Sequence, residues 1–313
     1  MVLNKEKNFI SAVIYVNNNE EHIEEFLSDI YKTLDEKFNK FEIIIVNDCS
    51  NDQTVKRVKE FSETINSSVV SIVNMSFYQG LELSMNAGVN LAIGDFVYEF
   101  DNVYKDYDND IISDLYYQSL KGFDIVSATP KNYKNKSSKL FYKLFNSVAN
   151  TMYELNTESF RILSRRGINR VHSMSKTIPY RKAIYSNCGL KLYNVVYDNK
   201  NYNLKINNRA KSNRREVASD SLILFTDLGY KISIGMTLLM MLIVILTSIY
   251  VIVTFLGNKR PVEGWTTIML FLSGGFFGLF AITAIIVKYL SLIVSLIFKK
   301  QQYVVESIEK IKA

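Results

Sequence analysis

Apolar and polar positions along the first 130 residues follow two rhythms. Residues 9–16, 41–46, 69–74, 95–101 and 123–127 are short runs rich in β-branched and aromatic side chains, which predicts buried strands. Between them the apolar residues recur every three to four positions. Ile23, Phe26, Leu27, Ile30 and Leu34 share one helix face, and residues 54–61, 80–92 and 111–120 repeat that period. The alternation predicts an α/β domain, a mainly parallel sheet with helices on both faces. Ligands of such sheets bind at the carboxyl ends of strands, so polar residues placed there are the candidates for chemistry.

Beyond residue 130 the rhythm weakens. Residues 139–153 read as a helix and 190–196 as a strand. Val217, Ser221, Leu224, Phe225 and Leu228 line one face behind a basic stretch, the pattern of a helix lying on a membrane surface; an ordinary packed helix gives the same pattern. Residues 232–256 then run 25 positions without a charge, and 265–287 run 23 more. At ~1.5 Å per residue each run exceeds the ~30 Å hydrocarbon core of a bilayer. The expected organisation is a domain over 1–213, a juxtamembrane amphipathic helix over 214–231, a two-helix transmembrane anchor over 232–298 and a tail over 299–313.

Charge changes the picture in one respect. The net charge is +6, and Lys205, Arg209, Lys211, Arg214, Arg215 and Lys231 precede the first apolar run while Lys288, Lys299, Lys300, Lys310 and Lys312 follow the core of the second. The positive-inside rule puts the domain and both termini in the cytoplasm. The excess reads as membrane topology, and no nucleic-acid partner is expected. A cytoplasmic domain keeps the two cysteines reduced, so no disulfide is expected, and the two cysteines and two histidines have no metal spacing, so no zinc site is expected.

Two strand ends carry the candidate chemistry. Asp48 follows the run 41–46 and is placed to accept hydrogen bonds from a base or ribose, while Asp52 and Thr54 can cap the next helix. Asp101 ends the strand 95–101, where a diphosphate-bound Mg²⁺ would sit. Glu99 lies two residues earlier on the same strand face and can complete a Glu-x-Asp metal pair; a strand-face acid paired with a lysine is the structural alternative.

The order of these pieces resembles a family-2 glycosyltransferase of GT-A fold, of the membrane-anchored polyprenyl-phosphate type that includes dolichol-phosphate mannosyltransferase and the bactoprenol glucosyltransferases. The resemblance is carried by FEIIIVNDCSNDQT over 41–54, by Gly80 and Asn86-Ala87-Gly88 followed by Gly94-Asp95, by Ser159-Phe160-Arg161-Ile162-Leu163-Ser164-Arg165-Arg166, by Gly264-Trp265 and by Tyr303-Val304-Val305-Glu306. It implies transfer of a sugar, with inversion and with Mg²⁺ or Mn²⁺, from a nucleotide-diphosphate sugar to a polyprenyl-phosphate lipid. It also implies a homo-oligomer. Asp48, Asp52, Gly80 and Asp101 would bind the nucleotide sugar; Asp101, Glu158 and Arg161 would serve catalysis; Asp101 and Glu99 would hold the metal. Arg161, Arg165, Arg209 and Arg214 would grip the acceptor phosphate, since a guanidinium fork matches phosphate geometry.

The chain also departs from that pattern. Asn47-Asp48 stands where the family has two Asp, Asp101-Asn102-Val103 where it has Asp-x-Asp, Leu81 where it has a basic residue, and Ser159 where it has an acid. These losses motivate a reading of a different class, a non-catalytic membrane scaffold of the same fold.

Overall fold

The computed structural model describes residues 5–65, 69–131, 136–149, 152–174, 180–199, 217–218, 220–221, scattered positions between 232 and 249, 264–298 and 303–312. The chain divides into two compact units, residues 1–221 with 301–313, and residues 222–300.

The first unit is built on an eight-stranded sheet. Its strands are β1 (Ile10–Val16), β2 (Phe41–Asn47), β3 (Val69–Met75), β4 (Phe96–Phe100), β5 (Ile125–Pro130), β6 (Phe160–Ser164), β7 (Leu192–Tyr197) and β8 (Val305–Lys312), in the order β7-β5-β6-β4-β1-β2-β3-β8. The helices are α1 (Ile23–Lys37), α2 (Thr54–Thr64), α3 (Leu81–Leu91), α4 (Asn109–Leu120), α5 (Lys136–Val148), α6 (Arg165–Met174) and α7 (Arg181–Ser186).

Alternation within the strands sorts the helices onto two faces. Ile10, Ala12 and Ile14 of β1 join one core with Phe26, Leu27 and Ile30 of α1, Val58 of α2 and Leu115 of α4. The opposite face takes α3, and Gly88 is required there. A Cβ at Gly88 would collide with Val13 and Val46, so only glycine lets this helix sit so close to β1 and β2.

The α/β class and the helices on both faces agree with the sequence. The sheet is more mixed than expected. β1–β2, β1–β4, β2–β3 and β5–β7 are parallel, whereas β4–β6, β5–β6 and β3–β8 are antiparallel. The expected tail over 299–313 is corrected: its residues 305–312 are β8, paired with β3 and hydrogen-bonded through Asn74 Nδ2 to Ser307 Oγ (3.0 Å) and Glu309 Oε1 (2.8 Å).

The second unit contains α8 (Trp265–Phe298), a helix of 34 residues. Gly278 packs against Met240 of the first apolar run, so this small residue serves a contact inside the chain. Taken over the described residues alone, no helix is long and apolar enough to cross a membrane. Several side chains of α8, most of 232–256 and most of 214–231 lie outside the described residues.

Candidate active site

Register places a row of polar side chains across the sheet. Glu99 of β4 pairs with Arg161 of β6, Arg161 with Ser127 of β5, and Ser127 with Asn194 of β7, so the four residues sit abreast on one face. The short helix α7 contributes Arg181 and Tyr185, one turn apart and therefore on the same side.

These groups form a closed ion network. Arg161 donates Nη1 to Glu99 Oε2 (2.7 Å), Nη2 to Asp101 Oδ2 (2.8 Å) and Nε to Glu158 Oε2 (3.0 Å). Arg181 donates Nη1 to the same Glu99 Oε2 (2.7 Å) and Nη2 to Asp101 Oδ1 (2.8 Å). Its Nε and backbone N–H both go to Glu82 Oε2, at 2.9 and 3.0 Å, so an acid in the first turn of α3 also caps α7. Tyr185 donates its hydroxyl to Glu99 Oε1 (2.7 Å).

Both arginine side chains are 1% exposed and Glu99 is fully buried. Burial alone would raise the Asp101 carboxyl, but the adjacent Arg161 and Arg181 outweigh it and hold the group well below the usual carboxylate range. Burial would lower the guanidiniums; the surrounding carboxylates hold them charged instead.

The second strand end is built from neutral donors. Asp48 is fully buried. Its Oδ1 accepts Gln79 N–H (2.8 Å), and its Oδ2 accepts Gly80 N–H (2.8 Å) and the Tyr15 hydroxyl (2.9 Å). Gly80 takes a φ of 84°, the left-handed region that favours glycine, and opens α3. Burial pushes the Asp48 carboxyl up despite these hydrogen bonds. Asp52 accepts Thr54 N–H (3.0 Å) and Glu20 N–H (3.0 Å), the capping role expected of it; those bonds together with the Thr54 side chain outweigh burial and lower its carboxyl.

Residues 11–188 match the glycosyl transferase family 2 profile, more than half of the chain. The chain belongs to glycosyl transferase family 2. This family-2 chain is 31% identical over 199 residues to the prophage bactoprenol glucosyl transferase homolog of Escherichia coli, covering 60% of this chain and 62% of that protein. It is 27% identical over 195 residues to an uncharacterized glycosyltransferase of Synechocystis, covering 60% of each. The match thus spans about three fifths of these relatives' length. Among solved structures, mannosyl-3-phosphoglycerate synthase from Rubrobacter xylanophilus superposes with a TM-score of 0.50 at 11% identity, over 69% of this chain and 74% of that one, a likeness of fold.

Within the family-2 domain the expected site residues part company. Asp101, Glu99, Glu158 and Arg161 do converge. The expected Glu99–Asp101 metal pair lies together, bonded to two arginines. Every oxygen of these two carboxylates already accepts from a guanidinium or a tyrosine hydroxyl, and two fixed positive charges face the place a dication would take. The side chains as they lie do not fit Mg²⁺ or Mn²⁺. Nor, among the described residues, does any group of three or more His, Cys, Asp or Glu suit a metal.

Arg165 is corrected. β6 runs antiparallel to β4, so four residues past Arg161, roughly 13 Å along the strand, the chain has reached the opposite end of the sheet. There the Arg165 guanidinium holds the carbonyls of Ala92 (2.9 Å) and Gly94 (3.0 Å from Nε). Asp48 is turned inward as a latch for the 79–80 turn and presents no free oxygen at the surface. Arg209 and Arg214 lie outside the described residues.

Sequence reasoning missed Arg181, Tyr185 and Glu82. The only signal was the four-residue spacing of Arg181 and Tyr185. Nothing local tied them to a strand end some 80 residues away. Beside the network lies a cavity of about 110 Å³ lined by Glu158, Arg161, Lys182, Tyr185, Ser127 and Asn194 among others. Lys182 lies 3.9 Å from Glu158, and its amine is held charged by Tyr142 and Glu158 against the opposing effect of burial.

Proposed function

We propose that this chain is a membrane-attached glycosyltransferase that moves a sugar, with inversion, from a nucleotide-diphosphate sugar to a polyprenyl-phosphate lipid. The carrying observation is the path of the chain. It leaves the first unit at residue 221, passes through the apolar segments and re-enters the same sheet as β8. Any membrane crossing between 222 and 300 must therefore occur an even number of times, which supports a two-span hairpin with both ends on one face, the cytoplasmic one by charge.

The apolar segment supports the same reading. Phe277 and Phe280 of α8 are 73% and 71% exposed, and Leu279, Ile286, Val287 and Leu290 are also open. So much exposed apolar surface on one helix calls for a covering phase, and lipid supplies it. The bactoprenol glucosyl transferase names of relatives at about 30% identity support the lipid acceptor. A lipid phosphate is already anionic near neutral pH, its second pKa being about 6, so it attacks the anomeric carbon with little help from a base. The missing acid at Ser159 and the missing partner of Asp101 are then tolerable losses.

The nucleotide sugar would lie along the carboxyl ends of β1, β2 and β4, between the Asp48 latch and the Asp101 network. Arg209 and Arg214 would draw the acceptor head group to the membrane surface, and association of chains through the apolar helices belongs to the same proposal.

The test uses the full chain in lipid nanodiscs with a short polyprenyl phosphate and a panel of UDP-, GDP- and CMP-sugars. The expected outcome is a polyprenyl-phosphate sugar, seen by mass spectrometry, with release of nucleotide. Folded protein that forms no sugar lipid from any donor would return the chain to the scaffold reading.

A further inference from the structure

We propose that the Glu99–Asp101 strand end recruits no divalent cation, because the Arg161 and Arg181 guanidiniums, as a permanent part of the fold, already occupy its carboxylate oxygens. This rests on the donor-site reading above and sharpens it: the transferase would bind a nucleoside diphosphate without metal.

The geometry carries it. The two guanidiniums share Glu99 Oε2 and divide the two oxygens of Asp101 between them, each at 2.7 or 2.8 Å. A cation entering this pair would lie against both guanidiniums, and displacing either would leave a buried arginine stripped of its carboxylate with no water to turn to. Arg161 is further tied to Glu158, and Arg181 to Glu82 through both its side chain and its backbone N–H. Expelling either arginine therefore also breaks a contact outside the pair.

Glu82, Glu99, Asp101 and Glu158 face Arg161, Arg181 and Lys182, which leaves one carboxylate in excess. That excess does not sit at Asp101, whose two oxygens are both engaged. Among the described residues, Glu82 and Glu158 accept through Oε2.

The loss of the second metal carboxylate at Val103 has the same explanation. Val103 is buried in the hydrophobic core, and the network is complete without an acid there. Arg181 reaches the strand end from α7 and bonds both Glu99 and Asp101.

The experiment is a titration of Mn²⁺ into the full chain in nanodiscs, read by the electron paramagnetic resonance of free Mn²⁺. Protein-free nanodiscs and the Asp101→Asn variant serve as controls. The expected result is that wild type and Asp101→Asn leave the free signal alike. Arg181→Met, which bares one oxygen of Asp101, is expected to gain Mn²⁺ binding that the Arg181→Met/Asp101→Asn double variant loses again.

Wild-type protein that retains one Mn²⁺ per chain and releases it on Asp101→Asn would overturn the proposal, whether or not Arg181→Met folds. A calorimetric arm adds UDP and GDP in EDTA and then in Mn²⁺. Equal affinity in the two buffers supports the proposal, and binding that appears only with Mn²⁺ and vanishes in Asp101→Asn overturns it. If neither nucleotide binds, the donor-site reading is what suffers, and the Mn²⁺ titration of the protein alone still decides the cation question.

Discussion

Two acids end neighbouring regions of the same sheet and are held in opposite ways. Asp48, after β2, is gripped by two backbone N–H groups and a tyrosine hydroxyl, all neutral. Asp101, after β4, is gripped by two guanidiniums. Burial wins at Asp48 and raises its carboxyl, whereas charge wins at Asp101 and lowers it. A strand-end carboxylate is thus not one kind of site. Its chemistry is set by what the next layer of the fold brings to it, a turn in one case and a six-residue helix in the other.

The largest effect that would break this comparison is Arg161→Leu. Leaving Glu99 and Asp101 with Arg181 as their one guanidinium partner should cost about 3–5 kcal/mol, read as a large fall in the thermal midpoint of the full chain. Asp48→Ala comes next. It strands the N–H groups of Gln79 and Gly80, and should cost about 2–3 kcal/mol. Hydrogen exchange should speed up at those two amides and leave the α7 amides unchanged. If the α7 amides also lose protection, the two strand ends are coupled and the comparison fails.

Asn74→Ala is smaller. Asn74 accepts from Asn47 and donates to Ser307 and Glu309, so its loss should cost about 1–2 kcal/mol, with faster exchange confined to β8. Smallest is the pH dependence, where the two acids should differ in sign. Asp101 titrates below its unfolded value, so its stabilisation is present above about pH 4 and is lost on further acidification. Asp48 titrates above its unfolded value, so its ionisation erodes stability as pH rises above about 4. Thermal midpoints between acid and neutral pH should show Asp101→Asn removing the acid-side loss and Asp48→Asn removing the opposite slope.

The first five strands were readable because each is a compact apolar run between turn signals. β6 and β8 were not. β6 is five residues with a charged arginine in the middle, and it is a strand because Arg161 finds Glu99 opposite it. β8 has its apolar residues at Val305, Ile308 and Ile311, a spacing of three that suits a helix. The strand instead turns Ser307 and Glu309 toward Asn74 and leaves Ile308 55% exposed, with two register shifts along its pairing with β3. Its polar inward face is satisfied by partners more than 200 residues away, which no local pattern can announce.

The site divides the same way. Glu99 and Asp101 were legible from the strand run that they close, whereas Glu158 and Arg161 stood out only through the family resemblance around residues 159–166. Their meaning changed once Arg181 arrived. Arg165 shows the reverse failure: it shares a motif with Arg161, yet an antiparallel strand carries it to the other end of the sheet.

β8 has a consequence for how the protein is made. A ribosome synthesises the other seven strands first, then the apolar segments, and only then the residues that cover β3. Throughout that interval the nascent sheet has an open edge at β3, with unpaired backbone groups that invite wrong partners. The final strand can pair with β3 only after residues 222–300 have been synthesised, so a closed sheet edge reports that the intervening chain has been made. A chain stalled before residue 305 would be an unfinished sheet and a natural target for chaperones and proteases.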